Sequence, residues 1–406
     1  MDDQPRAVDD PLRRVLDADT VPARVLGIGE AAHFVTEFNV LRAEAVADLV
    51  ARHGFTHLAL EVGHDEAPLL DDWLRSADPC ESTLRTAVGP LTFMLYGTFL
   101  LGLVTRLGAR SQNLSVLGVD LPNSLRPEAS LAPLAELLND LDPDAAAGLD
   151  DVRRRCSVVT GGSAAACALA WMALSEEDSA VITAELASLR ERARALGPLY
   201  EERSSGAQAQ RALDLADSAV TTVLMLRAMA DLFSGRGRTA DTSLRESFIA
   251  SRITTALAAL PATARIAYVA HNNHIQKTPV VFDSTLIALS AGTYLARELG
   301  HGYRAIALTH LGEHVPEMEV TGAGELGFEV AQAPMPPPGP DSVEALALAV
   351  GPGDSAVVAV TTHDVPAGDP GPQTIRSQSA VAHGRLGEAF DSVLVTRAAS
   401  PDRRCS

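Results

Sequence analysis

The stretch RVLGIGEAAHFVTEFNVLRAE, Arg24–Glu44, decides the fold. Val25, Leu26 and Ile28 read as a short apolar strand broken at Gly27 and Gly29. Beyond it Phe38, Leu41, Ala45, Leu49 and Val50 follow helical spacing, with Thr36 as the expected N-cap. Glu30 and His33 fall in the turn between strand and helix. Arg42 falls on or beside the helix's buried face, where a guanidinium is tolerated only if carboxylates pair with it. An acid, a titratable base and a fixed cation thus gather where a strand hands over to a helix. Ligands of open α/β sheets bind at such places.

Working outward, THLALEVG (56–63) is a second apolar run ending in Glu61. Strand, helix and strand this close together form a βαβ unit with parallel strands and a right-handed crossover. Glu30 and Glu61 are then expected at the carboxyl ends of neighbouring strands, on one sheet edge. LSVLGVDLP (114–122) repeats the pattern with Asp120, and ARIAYVAHNNH (264–274) repeats it with His271, Asn273 and His274. YRAIALTHL (303–311), Ala356–Thr361 and Ser392–Thr396 bring the sheet to about seven strands, largely parallel and flanked by helices.

Residues 124–260 differ in character: Ala, Leu, Arg and Glu dominate and the apolar spacing is helical. Two long helices are expected at Ser179–Leu196 and Tyr200–Leu232, within an antiparallel lobe of four to six helices that walls one side of a cleft. GGSAAA (161–166) and SGRGR (234–238) are its expected joints. The organisation is therefore an α/β core over 1–123, a helical insertion over 124–260, and the rest of the core over 261–398. MPPPGP (335–340) reads as a stiff surface linker, 364–380 as a mobile loop, and 399–406 as a disordered tail.

The net charge of −19 argues against nucleic-acid and anionic-membrane partners and leaves a small molecule as the expected ligand. Cys80, Cys156, Cys167 and Cys405 lack zinc-ligand spacing, which fits reduced thiols in the cytoplasm. The polar start MDDQPRAVDDPLRR has no signal-peptide core, and no 18-residue apolar run is expected to span a membrane. Lys277 is the single lysine; the abundance of arginine points to codon bias, so it attracts only mild interest.

The chemistry at the edge narrows by elimination. There is no G-x-S-x-G elbow, no cysteine at a strand end, no P-loop and no dinucleotide turn. Three readings stay open: an acid/base site, a metal site and a non-catalytic polar cluster. As a base, His33 would take a proton from water while glutamates fix its tautomer. Arg42 would hold those acids or face an oxyanion, and His271 would protonate the leaving alkoxide. His274, Asp120 and Asn273 are candidate substrate contacts. A metal, if one binds, would use His33, Glu61 and His271. His310 and His363 are second-rank candidates at strand ends, and His53, His57, His64, His301, His314 and His383 read as surface or core residues.

The chain resembles the erythromycin esterase family. The resemblance rests on GIGEAAH (27–33), Arg42 nine residues after His33, LALEVG with Glu61, GVDLP (118–122), LRESFIA (244–250), AHNNHIQ (270–276) and FDSVLV (390–395). It implies an α/β core with a helical lobe and a cleft between them, and hydrolysis of a macrolide lactone without a required metal. It also implies an active-site set of Glu30, His33, Arg42, Glu61 and His271, with His274 as companion. One departure is Ala32, where the family's usual motif has threonine, so a hydroxyl beside the base is missing. Some members of the family serve natural-product pathways, which leaves a biosynthetic enzyme or a non-catalytic ligand-binding protein as alternatives.

Overall fold

A central sheet of seven strands positions the predicted constellation, whose residues lie in the turns that follow its strands or on helices. In the computed structural model, which describes residues 10–20, 23–63, 65–322, 324–351 and 355–405, its first four strands are β1 (Val25–Ile28), β2 (His57–Leu60), β3 (Ser115–Gly118) and β4 (Ile266–Val269). Across the sheet the order is Val357–Thr361, Ser392–Thr396, Tyr303–His310, β1, β4, β2 and β3. All pairings are parallel except that of Val357–Thr361 with Ser392–Thr396. The seven strands are those expected from the sequence, and the sheet is largely parallel.

One detail of the order differs from expectation. β1 and β2 are not neighbours, because β4 lies between them, with Val269 level with Ile28 on one side and Leu60 on the other. The crossover after β1 passes one strand position, and a strand from far along the chain fills it. This brings the turn after β4, with His271, between Glu30 and Glu61.

Each face of the sheet buries one layer of helices, as the strands' period-2 alternation requires. On one face Leu26, Leu58 and Val269 pack with helix α2 (Thr36–Arg52) and the helix Pro90–Leu107. On the other, Val25, Ala59 and Tyr268 pack with Ile249, Ile253 and Leu257 of helix Ser243–Ala259. A separate apolar core, from Leu121 to Phe248, holds the helices between Glu128 and Phe233 together. Within it the expected long helix from Tyr200 is two helices, Gly197–Arg203 and Gly206–Phe233. Ser205 stops the first from running on: its hydroxyl accepts the backbone N–H of Gln208 and so caps the second.

Several local expectations are corrected. Part of the polar start forms helix α1 (Pro11–Asp19), capped by Asp10, while residues before Asp10 lie outside the described residues. Thr36 is inside α2 rather than capping it, and Val35 precedes it without a side-chain cap. The helical stretch Pro90–Asn113 is long and apolar enough to cross a membrane, with a mean hydropathy of 1.4, contrary to expectation. Phe93, Tyr96, Phe99 and Leu103 are buried against the protein's own core.

The loop expected to be mobile contains the strand Thr374–Ser377, with Arg376 and Ser377 buried. It pairs with Ala380–His383 in an accessory four-stranded sheet that includes Val280–Phe282 and Thr285–Ala288. A hairpin, His314–Val320 with Phe328–Pro334, is also new. Residues 399–405 of the tail are ordered too, and Ser406 lies outside the described residues: Ala399 is buried, Pro401 bridges Val35, and the Asp402 N–H donates to the Phe34 carbonyl at 2.7 Å. In the proline tract Met335 is buried, and the Pro336 carbonyl accepts from Arg376 at 2.7 Å.

Candidate active site

The turn after β1 requires its glycines. A Cβ on Gly29 would lie 1.9 Å from the Asn272 Oδ1, and one on Gly27 would lie 2.9 Å from the Tyr303 hydroxyl. The turns after β1 and β4 can therefore lie against each other. The Asn272 N–H donates to the Glu30 carbonyl at 2.8 Å, and its side chain donates to the Leu308 carbonyl at 2.9 Å. The turn closes on Phe34, whose φ of 64° is costly for an aromatic residue and persists only where surrounding contacts enforce it.

Glu30 is 2 % exposed and sits between a base and a cation. Its Oε1 lies 2.8 Å from His33 Nδ1, and its Oε2 lies 2.8 Å from Arg42 Nη2. Arg42 is wholly buried, donates to the Asn39 Oδ1, and lies over the rings of Tyr96 and Phe99 at 5.9 and 5.7 Å. Of the two roles expected for Arg42, only holding the acid fits this burial. Asn39 in turn donates to Asp402 at 3.1 Å, so the ordered tail braces the group that braces Glu30.

The turn after β4 is arranged differently. His271 is 4 % exposed, its Nε2 is 3.0 Å from the Ala31 carbonyl, and its Nδ1 accepts the Asn273 N–H at 3.1 Å. This pairing fixes the Nε2–H tautomer. Burial, reinforced by the nearby His274 charge, pushes its pKa well below the usual histidine value. A neutral imidazole whose proton is committed to a backbone carbonyl is a poor donor to a leaving alkoxide, although His271 lines the smaller cavity beside His33.

His274 has the opposite charge state. Nε2 lies 2.8 Å from Glu61 Oε1 and Nδ1 lies 2.8 Å from Glu246 Oε1, so both nitrogens donate to carboxylates and the ring is an imidazolium. Burial opposes that charge, but Glu246 and Glu61 outweigh it and raise the pKa to about 10. Burial would raise the Glu61 carboxyl, yet the His274 charge holds it far below the usual range. The other oxygen of Glu61 accepts the His271 N–H at 3.0 Å and the Tyr96 hydroxyl at 3.2 Å. Glu61 therefore anchors the β4 turn, and Glu30 alone orients His33.

Asp120 is fully buried and receives the Arg245 guanidinium on both oxygens, with Nε 2.9 Å from Oδ1. Its carboxylate holds Arg245 in place and lines neither cavity beside His33. Arg245 lines both cavities instead. Asn273 keeps a place on the wall, with its Oδ1 accepting from Ser377 at 3.2 Å. His310 is buried beside Phe38 and Arg376, and burial lowers its pKa to about 3. His363 is exposed in a short helical turn, and His64 lies outside the described residues.

His33 stands at the meeting point of two cavities of about 280 and 360 Å³, both also lined by Met225, Thr242, Arg245 and Met318. The smaller is edged by Glu246, His274, Asn273 and Gln378. The larger is apolar, with Leu91, Leu95, Leu125, Met229 and Phe328. The pairing of His33 Nδ1 with Glu30 leaves Nε2, on the far side of the ring, for the cavities. The proposed metal set does not fit: both nitrogens of His271 and both oxygens of Glu61 are engaged within the protein. Among the described residues no group of three His, Cys, Asp or Glu side chains is placed to hold a metal ion.

A parallel sheet with a helical lobe over its carboxyl edge, and a histidine paired with a buried glutamate in the cleft between them, define the candidate site of an α/β protein. The erythromycin esterase family model matches residues 50–399. The chain is 33% identical to erythromycin esterase type I of Escherichia coli over 98% of its length and 96% of that protein's. It is 26% identical to the type II enzyme of the same organism, over 94% and 90%. A histidine-to-asparagine mutant of the erythromycin esterase EreC, in its open conformation, superposes with a TM-score of 0.91 at 33% identity, over 98% of this chain and 96% of the other. A succinoglycan biosynthesis protein shares the fold alone, with a TM-score of 0.68 at 18% identity, over 98% and 93%. The chain belongs to the erythromycin esterase family, a family of carboxylic ester hydrolases.

Proposed function

We propose that this protein opens the lactone ring of a macrolide by general-base attack of water, without a covalent enzyme intermediate. The carrying observation is the pair of Glu30 and His33: Nδ1 is fixed by the carboxylate, and the ring is placed where the two cavities meet. A side-chain nucleophile activated by His33 would hydrogen-bond to its ring. Among the described residues only Glu30 does so. Water held at Nε2 gives up a proton to the ring as its oxygen bonds to the lactone carbonyl carbon. The Glu30 carboxylate stabilises the imidazolium that forms. Collapse of the tetrahedral intermediate breaks the ring C–O bond, and the imidazolium returns its proton to the departing alkoxide. The products are a hydroxyl and a carboxylic acid in one opened chain.

Arg245 is a cation on the wall of both cavities beside His33, and in this reading it faces the developing oxyanion. The larger chamber suits the hydrocarbon face of a macrocycle, and in the smaller one Glu246, His274, Asn273 and Gln378 stand among apolar residues where they can meet its hydroxyls. No step runs through a metal, since two members of the candidate set, Glu61 and His271, have their ligand atoms engaged within the protein. Incubation with erythromycin followed by mass spectrometry tests the reading. The expected product is heavier by one water and is lost with His33→Ala at unchanged melting temperature. An intact macrolide after incubation with folded wild-type protein would refute it.

A further inference from the structure

The hairpin joining Thr374–Ser377 to Ala380–His383 pairs Ser377 with Ala380, so its loop is the two residues Gln378 and Ser379. Tight loops of this kind take glycine, asparagine or aspartate where φ is positive. Here φ is 51° at Gln378, a residue with a long side chain and no local reason to accept the left-handed region. What glycine lacks is the side chain, and its contacts explain the choice.

Gln378 binds the turn that carries His33 at two points. Its backbone N–H donates to the Ala31 carbonyl at 2.6 Å, beside the bond from His271. Its Oε1 accepts the His33 backbone N–H at 2.9 Å. The amide's other end donates to Glu317 Oε1 at 3.2 Å, and the Ser379 N–H donates to Glu317 Oε2 at 2.9 Å. Glu317 belongs to the hairpin His314–Val320 with Phe328–Pro334, which supplies Met318 and Phe328 to the cavity walls. Beyond that hairpin's strands, the Glu325 carbonyl accepts the Gly162 N–H of the helical lobe at 2.7 Å. A chain of bonds thus runs from the lobe, through the hairpin, to the backbone of the base.

We infer that Gln378 is a positioning residue for His33: it holds the strained turn on which the base sits and ties that turn to the hairpin covering the cleft. The orientation of the ring by Glu30 is separate and stays intact when Gln378 changes. The inference rests on His33 as the base only for its kinetic consequence; the bond to the His33 amide is tested directly.

In protein labelled with [15N]histidine, Gln378→Ala is expected to raise the hydrogen-exchange rate of the His33 amide at least about tenfold, the factor of one 1.4 kcal/mol contact. With erythromycin as probe, kcat is expected to fall about tenfold or more while KM stays within about threefold. Gln378→Asn, which tolerates positive φ but is one methylene shorter, is expected to fold and still show the fast amide. Gln378→Glu keeps the acceptor for His33 but faces Glu317, and adding Glu317→Gln is expected to restore kcat. A His33 amide that exchanges at the wild-type rate in folded Gln378→Ala would overturn the inference, as would additive effects of the two Glu/Gln exchanges. If wild-type protein leaves erythromycin intact, the hydrolytic reading fails while the amide measurement still decides the role of Gln378.

Discussion

The turns after β1 and β4 present the same residue type at adjacent strand ends and use it in opposite ways. In the first, His33 has one nitrogen fixed by Glu30 and the other side of its ring in the cleft. In the second, His271 and His274 are saturated: one is a neutral ring bonded to backbone, the other a charged ring between two carboxylates. The difference teaches that proximity of histidines does not share out a reaction. Burial and backbone bonds hold one of them neutral, two carboxylates hold another charged, and in the proposed reaction only the third exchanges a proton.

The contrast is sharpest for activity. His33→Ala is expected to lower kcat about 10³-fold with the fold intact, the range of a positioned general base. The next largest effect concerns the support of the first turn. Arg42→Ala leaves Glu30 buried without its cation and is expected to cost about 3 kcal/mol in urea unfolding, with activity reduced in parallel. Stability unchanged within about 0.5 kcal/mol would show that Glu30 does not depend on this pair.

A smaller effect separates the second turn by pH. The folded-state pKa of His274 is raised to about 10, above the unfolded value, so its contribution to stability is fully present below about pH 6.5. That contribution is lost as pH rises through the folded value. Between neutral pH and about pH 10 the melting temperature of the wild type is therefore expected to fall more steeply than that of His274→Gln. Parallel curves would show that His274 is not held as a cation.

Much of this was legible in the sequence, for a physical reason. Parallel strands end at one edge, so an apolar run followed by a charged residue, as at Glu30, Glu61 and His271, reports both the strand and the place of the side chain. The order was less legible: nothing local says that β4, arriving after the helical lobe, enters between β1 and β2. Arg245 and Glu246 were missed as site residues because they sit on a helix whose spacing resembles that of the lobe, and only tertiary packing turns them toward Asp120 and His274. Tyr96 was hidden in an apolar helix. Gln378 lay in a segment rich in Gly, Pro and Ser, and its importance is a backbone conformation that composition does not reveal. The tail from Ala399 lacks hydrophobic periodicity, yet backbone bonds to Phe34 and Thr36 order it.

The central claim is the division of protonation states among the three histidines. Ring nitrogen shifts in [15N]histidine-labelled protein, followed from about pH 6 to pH 8, test it most directly. His271 is expected as the neutral Nε2–H tautomer and His274 as the imidazolium throughout that range. A His271 that takes up a proton there, or a His274 that gives one up, would contradict it.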